Sequence, residues 1–124
     1  MSDGRTFPIL YGPLRPLMVG LGMGPGLSGV DLDDKTLHVR MGWAFRARIP
    51  RHHVTDARIV TGRVGGIGVH GWRGRWLVNG SMKQIVGLDI DPAARAIATG
   101  FPVHLHYLAL SLDDPDGFVA ALKN

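Results

Sequence analysis

The strongest constraint in this chain is an alternation. From Leu37 to Ile49 every odd position is apolar: Leu37, Val39, Met41, Trp43, Phe45, Ala47 and Ile49. His38, Arg40, Gly42, Ala44, Arg46 and Arg48 fill the even positions. Successive side chains of a strand point to opposite faces, so a period of two buries one face and leaves a basic face in water. Thirteen residues in one phase exceed an ordinary strand, and Gly42 is the natural break. A two-residue hairpin loop would invert the phase, so the break requires an odd-length loop or a glycine-centred bend. Pro50 ends the ladder because it has no N–H to give.

The rest of the chain reads as completing that sheet. Residues 16–21 and 29–33 predict two early strands, followed by a tight Asp33-Asp34-Lys35 turn. Arg51-His52-His53 turns into a strand over 54–60, and residues 62–71 make a glycine-rich hairpin tip. Residues 72–78 form a strand, and Asn79-Gly80 predicts a type I′ hairpin into a return strand carrying Met82, Gln84, Val86, Leu88 and Ile90 on one face. Residues 92–98 suit either a short helix after Asp91-Pro92 or a loop. Residues 102–112 form the last strand. Asp114-Pro115 then caps a C-terminal helix whose Phe118, Val119 and Leu122 share one side and close over the sheet. Residues 1–13 read as an irregular arm pinned by Phe7, Ile9, Leu10 and Tyr11, and residues 14–124 as one domain.

Composition narrows the function classes. Eighteen glycines among 124 residues imply frequent turns, as in short-stranded β proteins. The absence of cysteine excludes disulfides and thiolate chemistry and is compatible with a reducing compartment. The longest nearly apolar run, residues 16–30, is broken by glycines and Pro25 and is shorter than the roughly 20 residues that cross a bilayer. It also lacks the continuous apolar core and cleavage site of a signal peptide. The expectation is a cytoplasmic protein, one able to visit a membrane surface.

Net charge is +4, and its distribution matters more. Eight of the fourteen basic residues lie between Arg40 and Arg75, where Asp56 is the only acid. Such a segment suits an acidic protein, anionic lipid or nucleic acid, or serves simply as a solubilising face.

The chemical motifs are weak. Gly66, Gly68 and Gly71 match G-x-G-x-x-G, but a strand-like Trp72-Arg73-Gly74-Arg75-Trp76 follows where a dinucleotide site needs a helix. His104 and His106 share a strand face as metal ligands might, yet the next in-phase positions are Leu108, Leu110 and Leu112. Ser28 and Ser81 lack a nucleophile-elbow context. Trp72 and Trp76 alternate with Arg73 and Arg75; a base-stacking surface is one reading, a core tryptophan pair the simpler one, and Trp43 and Phe45 are read as core too. Asp56, His53 and His70 form the one enzyme-like set, without recognisable spacing.

The stretches Leu37-His-Val-Arg-Met-Gly-Trp, Ile49-Pro50 leading to Val54, Arg75-Trp-Leu-Val-Asn-Gly and the segment from Leu110 to Leu122 resemble small bacterial proteins of the pleckstrin-homology superfold, of unassigned function. The likeness spans about Pro16 to Leu122 and lies in strand order and the terminal helix. It implies a mainly β, partly open barrel of two roughly orthogonal antiparallel sheets capped by one short C-terminal helix. It also implies a non-catalytic binding or scaffolding module, with copies associating through sheet edges. The candidate ligand-binding residues are Arg40, Arg46, Arg48, Arg73 and Arg75, with no catalytic residue, metal or cofactor expected. The expected partner is a protein or other anionic ligand, with an anionic membrane surface as the main rival. Nucleic-acid binding and a small enzyme rank lower.

Overall fold

In the computed structural model, which describes residues 5–61 and 68–123, the alternating stretch becomes a hairpin inside a larger sheet. The described elements, in chain order, are β1 (Arg5–Phe7), α1 (Arg15–Gly20), β2 (Ser28–Leu32), β3 (Thr36–Met41) and β4 (Phe45–Pro50). They continue with β5 (Val54–Val60), β6 (Gly68–Trp72), β7 (Arg75–Asn79), β8 (Ile85–Ala98), β9 (Phe101–Ser111) and α2 (Pro115–Lys123).

The β3–β4 hairpin follows from the phase argument. Met41 pairs with Phe45 across the three-residue turn 42–44, so the odd positions stay on one face. Leu37, Val39, Met41, Phe45 and Ile49 have no exposed surface, and Ala47 has little. Gly42 takes a φ of +55°, and a Cβ there would overlap the Gly22 carbonyl. Trp43 departs from its expected place in the core. It sits at the apex of the turn, 62% exposed, with its Nε1 donating to the Leu21 carbonyl at 2.6 Å. A residue in phase with the strands lies outside their core once the chain turns there.

The strands form one open, mixed sheet in the order β1-β2-β3-β4-β8-β9-β7-β6, with β5 also paired to β8. This corrects the expectation of antiparallel pairing throughout, because β7 runs parallel to β9. That pairing also removes the Asn79-Gly80 hairpin. β9 lies between β7 and β8, so residues 80–84 cross over instead of turning back. The Asn79 side chain is wholly buried, accepting from the Gly68 N–H at 3.2 Å and donating to the Ser81 carbonyl at 2.7 Å. The turns with positive φ at both central residues are Arg73-Gly74, between β6 and β7, and Thr99-Gly100, between β8 and β9.

β8 links the two halves of the sheet. Its first part pairs with β5, and Ala94–Ala98 run between β4 and β9, with a register shift between Asp89 and Ala94. Residues 92–98 are therefore strand, neither helix nor loop. Ala94, Ala96 and Ala98 are buried while Arg95 and Ile97 are exposed, a period of two masked by helix-favouring alanines. Pro92 lies in the stretch skipped by the register, where its missing N–H breaks no ladder. Residues 15–20, which overlap the segment 16–21 expected as the first strand, are helix α1. Pro16 fits the first helical turn, whose N–H groups have no intrahelical partner, and only Met18 of that helix is buried.

The core lies between the inner face of the sheet and α2. Asp114 caps the helix by accepting the Gly117 N–H at 3.0 Å. Phe118 is fully buried and packs edge-on against Phe7 at 5.1 Å. Arg51 donates to the Asp33 and Ala121 carbonyls, each at 2.9 Å, tying the β2–β3 turn to the C-terminal end of α2. Part of the N-terminal stretch is regular: β1 pairs with β2, Ile9 bridges Leu112, and Phe7 and Ile9 are buried.

Candidate functional site

The even residues of β3 and β4 face outward, and the register aligns them. Arg40 stands opposite Arg46, and His38 opposite Arg48. Arg46 pairs in turn with Ile97 of β8, Ile97 with Pro102 of β9, and Arg95 with His104. These side chains line a groove of about 750 Å³ that crosses four strands. Arg46, Arg48, Arg95 and His104 are exposed, while His38 and Arg40 are half-buried.

The groove is electrostatically unbalanced. Arg40 has a carboxylate, Asp31 at 3.2 Å, but the pair is substantially exposed and so worth at most about 1 kcal/mol. Arg46, Arg48 and Arg95 have no ion pair among the described residues. Like charges directly opposite across a sheet are unfavourable, and Arg40 faces Arg46. An anion placed between them relieves that repulsion, and guanidinium groups offer phosphate or carboxylate oxygens paired donors.

Arg73 and Arg75 do not join this group. Arg73 occupies the β6–β7 turn, and Arg75 stacks over the Tyr107 ring at 4.2 Å. Arg58 approaches the same ring at 5.6 Å and holds Asp89 at 2.7 Å and Asp56 at 3.1 Å. Hydrogen bonding to Asp89, then to Asp56, raises the Arg58 guanidinium above its ordinary pKa. Of the five arginines expected to bind a ligand, Arg40, Arg46 and Arg48 line the groove, and His38, Arg95 and His104, which were not among the expected residues, line it with them. The sequence carried no clear signal for Arg95, because the alanines around it and the apolar Ile97 in phase with it mask the period of two.

Gly68 and Gly71 lie within β6, and β7 follows it, so no helix N-terminus meets the glycine pattern; Gly66 lies outside the described residues. His104 and His106 are both exposed, whereas Leu108 and Leu110 are buried, because the register irregularity opposite residues 90–93 changes the phase of β9. No group of three or more metal-ligating side chains is found among the described residues. Asp56 gives its carboxylate to Arg58, His53 lies edge-on to His52 at 4.6 Å, and the His70 side chain is outside the described set. The Trp72 side chain is likewise outside it, while Trp76 packs against the core and approaches Phe45 at 6.4 Å. Ser28 and Ser81 are buried in structural positions, Ser28 donating to the Met23 carbonyl at 3.4 Å.

A second hollow of about 770 Å³ lies beside the β2–β3 turn, lined by Asp34, Lys35, Arg51 and His52 among others. Its charges are mixed and Arg51 already holds carbonyl groups, so it offers less to an anion than the groove does. Among the described residues, no helix is long and apolar enough to cross a membrane. No family model matches the chain, and no curated protein or solved structure matches it.

Proposed function

We propose that this chain is a non-catalytic binding module that takes anionic groups into the groove of His38, Arg40, Arg46, Arg48, Arg95 and His104. One observation carries the reading: Arg46, Arg48 and Arg95, from two different strands, line one groove with no ion pair among the described residues, beside the cross-strand Arg40–Arg46 pair. A purely solubilising face has no need to set Arg40 against Arg46. A mainly β fold closed by one short C-terminal helix packed against the core is what favours a likeness to the pleckstrin-homology superfold. The single mixed sheet and the parallel β7–β9 pair depart from two antiparallel sheets.

Calorimetric titration with inorganic pyrophosphate at low salt tests the reading. Binding should weaken at least about tenfold in R46E/R48E, because each reversal removes a charge-assisted contact. R75E should bind within about twofold of the unaltered protein. Equal loss in both variants, or no binding at all, refutes the groove as the anion site.

A further inference from the structure

The groove residues Arg40, Arg46 and Ile97 lie next to the β3–β4 and β8–β9 turns, at an end of the molecule that is unusually apolar for a surface. Three turns meet there. Trp43 of the β3–β4 turn donates to the Leu21 carbonyl, and the Gly42 N–H donates to the Leu27 carbonyl at 3.1 Å. The Thr99 N–H of the β8–β9 turn donates to the Ala44 carbonyl at 2.7 Å. Around these bonds Leu17, Leu21, Leu27, Trp43, Ile97 and Phe101 are all at least half exposed, with Trp43 at 62% and Phe101 at 70%. Single exposed apolar residues are ordinary; six on the turns and element ends joined by these bonds, and on α1, mark a surface that meets something.

Charge says what that something is. The segments that build this end, residues 5–30, 35–55 and 92–112, contain no acidic residue, and Asp31, the next residue along β2, is already paired with Arg40 at 3.2 Å. The first outward row behind the tip is Arg40, Arg46 and Ile97, and the next holds Arg48 and Arg95, roughly 7 Å further along the strands. The aspartates of the β2–β3 turn, Asp33 and Asp34, lie at the far end of β3. A second copy docked tip to tip would bring the two arginine rows toward each other. An anionic bilayer complements both parts, since apolar and tryptophan side chains enter the interface while arginines reach lipid phosphates.

We infer that this end docks on anionic membrane surfaces, with Leu17, Leu21, Leu27, Trp43 and Phe101 entering the interface and the groove arginines holding the phosphates. The inference rests on the groove reading above and adds the source of the anion. No segment spans the bilayer in this arrangement; the contact is peripheral and reversible.

The test uses the full chain with vesicles of phosphatidylcholine alone or with 30% phosphatidylglycerol. Binding is expected only to the anionic vesicles and is lost at high salt, with each arginine removed weakening it about fivefold. L17E/F101E should lower partitioning at least tenfold while leaving pyrophosphate affinity within twofold. Nitroxide-labelled acyl chains should quench tryptophan emission in the unaltered protein and much less in W43F, a readout that stands even should the double variant misfold. Vesicle binding indifferent to L17E/F101E with no Trp43 quenching overturns the inference. So does pyrophosphate binding without vesicle binding, which leaves the groove reading standing; failure of both ligands removes both. A concentration-dependent dimer abolished by L17E/F101E, without vesicle binding, assigns the tip to a second copy and also overturns it.

Discussion

Two arginine clusters on the same sheet have opposite electrostatic fates. Across β5, β8, β9 and β7, Arg58 is held by two carboxylates and shares the Tyr107 ring with Arg75. Across β3, β4, β8 and β9, Arg46, Arg48 and Arg95 have no carboxylate among the described residues. The difference lies in what the register brings alongside. Asp89 and Tyr107 are paired neighbours, and Arg75 pairs with Tyr107 on the other side, whereas Arg46 is flanked by Arg40 and Ile97. A count of basic residues along the chain cannot separate these cases; the cross-strand neighbours can.

Both clusters ride on one core, so the largest effect should be common to them. Phe118→Ala removes a fully buried ring and is expected to cost about 3–5 kcal/mol in urea denaturation. Loss at only one cluster, seen by amide exchange, would show that the halves of the sheet fold independently. The groove-specific effect comes next: R46E/R48E should bind pyrophosphate at least about tenfold more weakly with thermal stability nearly unchanged. Arg75→Ala should do the reverse, keeping pyrophosphate affinity while losing about 0.5–1 kcal/mol of stability with the ring contact.

Asp89→Asn should blur the contrast. It removes the shorter of the two Arg58 ion pairs, costs under about 1 kcal/mol because the pair is well exposed, and creates weak pyrophosphate-induced shifts on β5. The smallest effect serves as a control at the acidic end. The Asp33 carboxylate accepts backbone N–H groups from Lys35 and Thr36 at 2.9 and 2.8 Å, which lowers its pKa. Its contribution to stability is therefore present above the ordinary aspartate value of 3.8 and lost as pH falls through the lower folded value. Asp33→Asn should be slightly less stable than the unaltered protein at neutral pH, converging with it in acid, with no change in anion binding.

The strand-rich class, the β3–β4 hairpin with an odd-length turn and the capped terminal helix were legible because each rests on local pattern. Period two survives any sheet topology, and Asp114 needs only Gly117 to cap. What misled the reading was decided at long range. Asn79-Gly80 carries a strong hairpin signal, but parallel pairing of β7 with β9 left it in a crossover. Ala94, Ala96 and Ala98 look helical until β4 and β9 flank them. Trp43 looks like core because its phase is right, yet a turn apex has nothing above it. The groove inherits the same division. Its β3 and β4 arginines were visible in the alternation, while Arg95 and His104 join it only through register.

The most direct measurement is a two-dimensional amide spectrum of the unaltered protein titrated with pyrophosphate at low salt. Shifts should concentrate on β3, β4, the second half of β8 and the start of β9, fade as salt rises, and spare the residues around Arg58 and Arg75. Shifts centred on that second cluster, or spread evenly over every exposed arginine, would contradict the assignment of the groove as the receptive face.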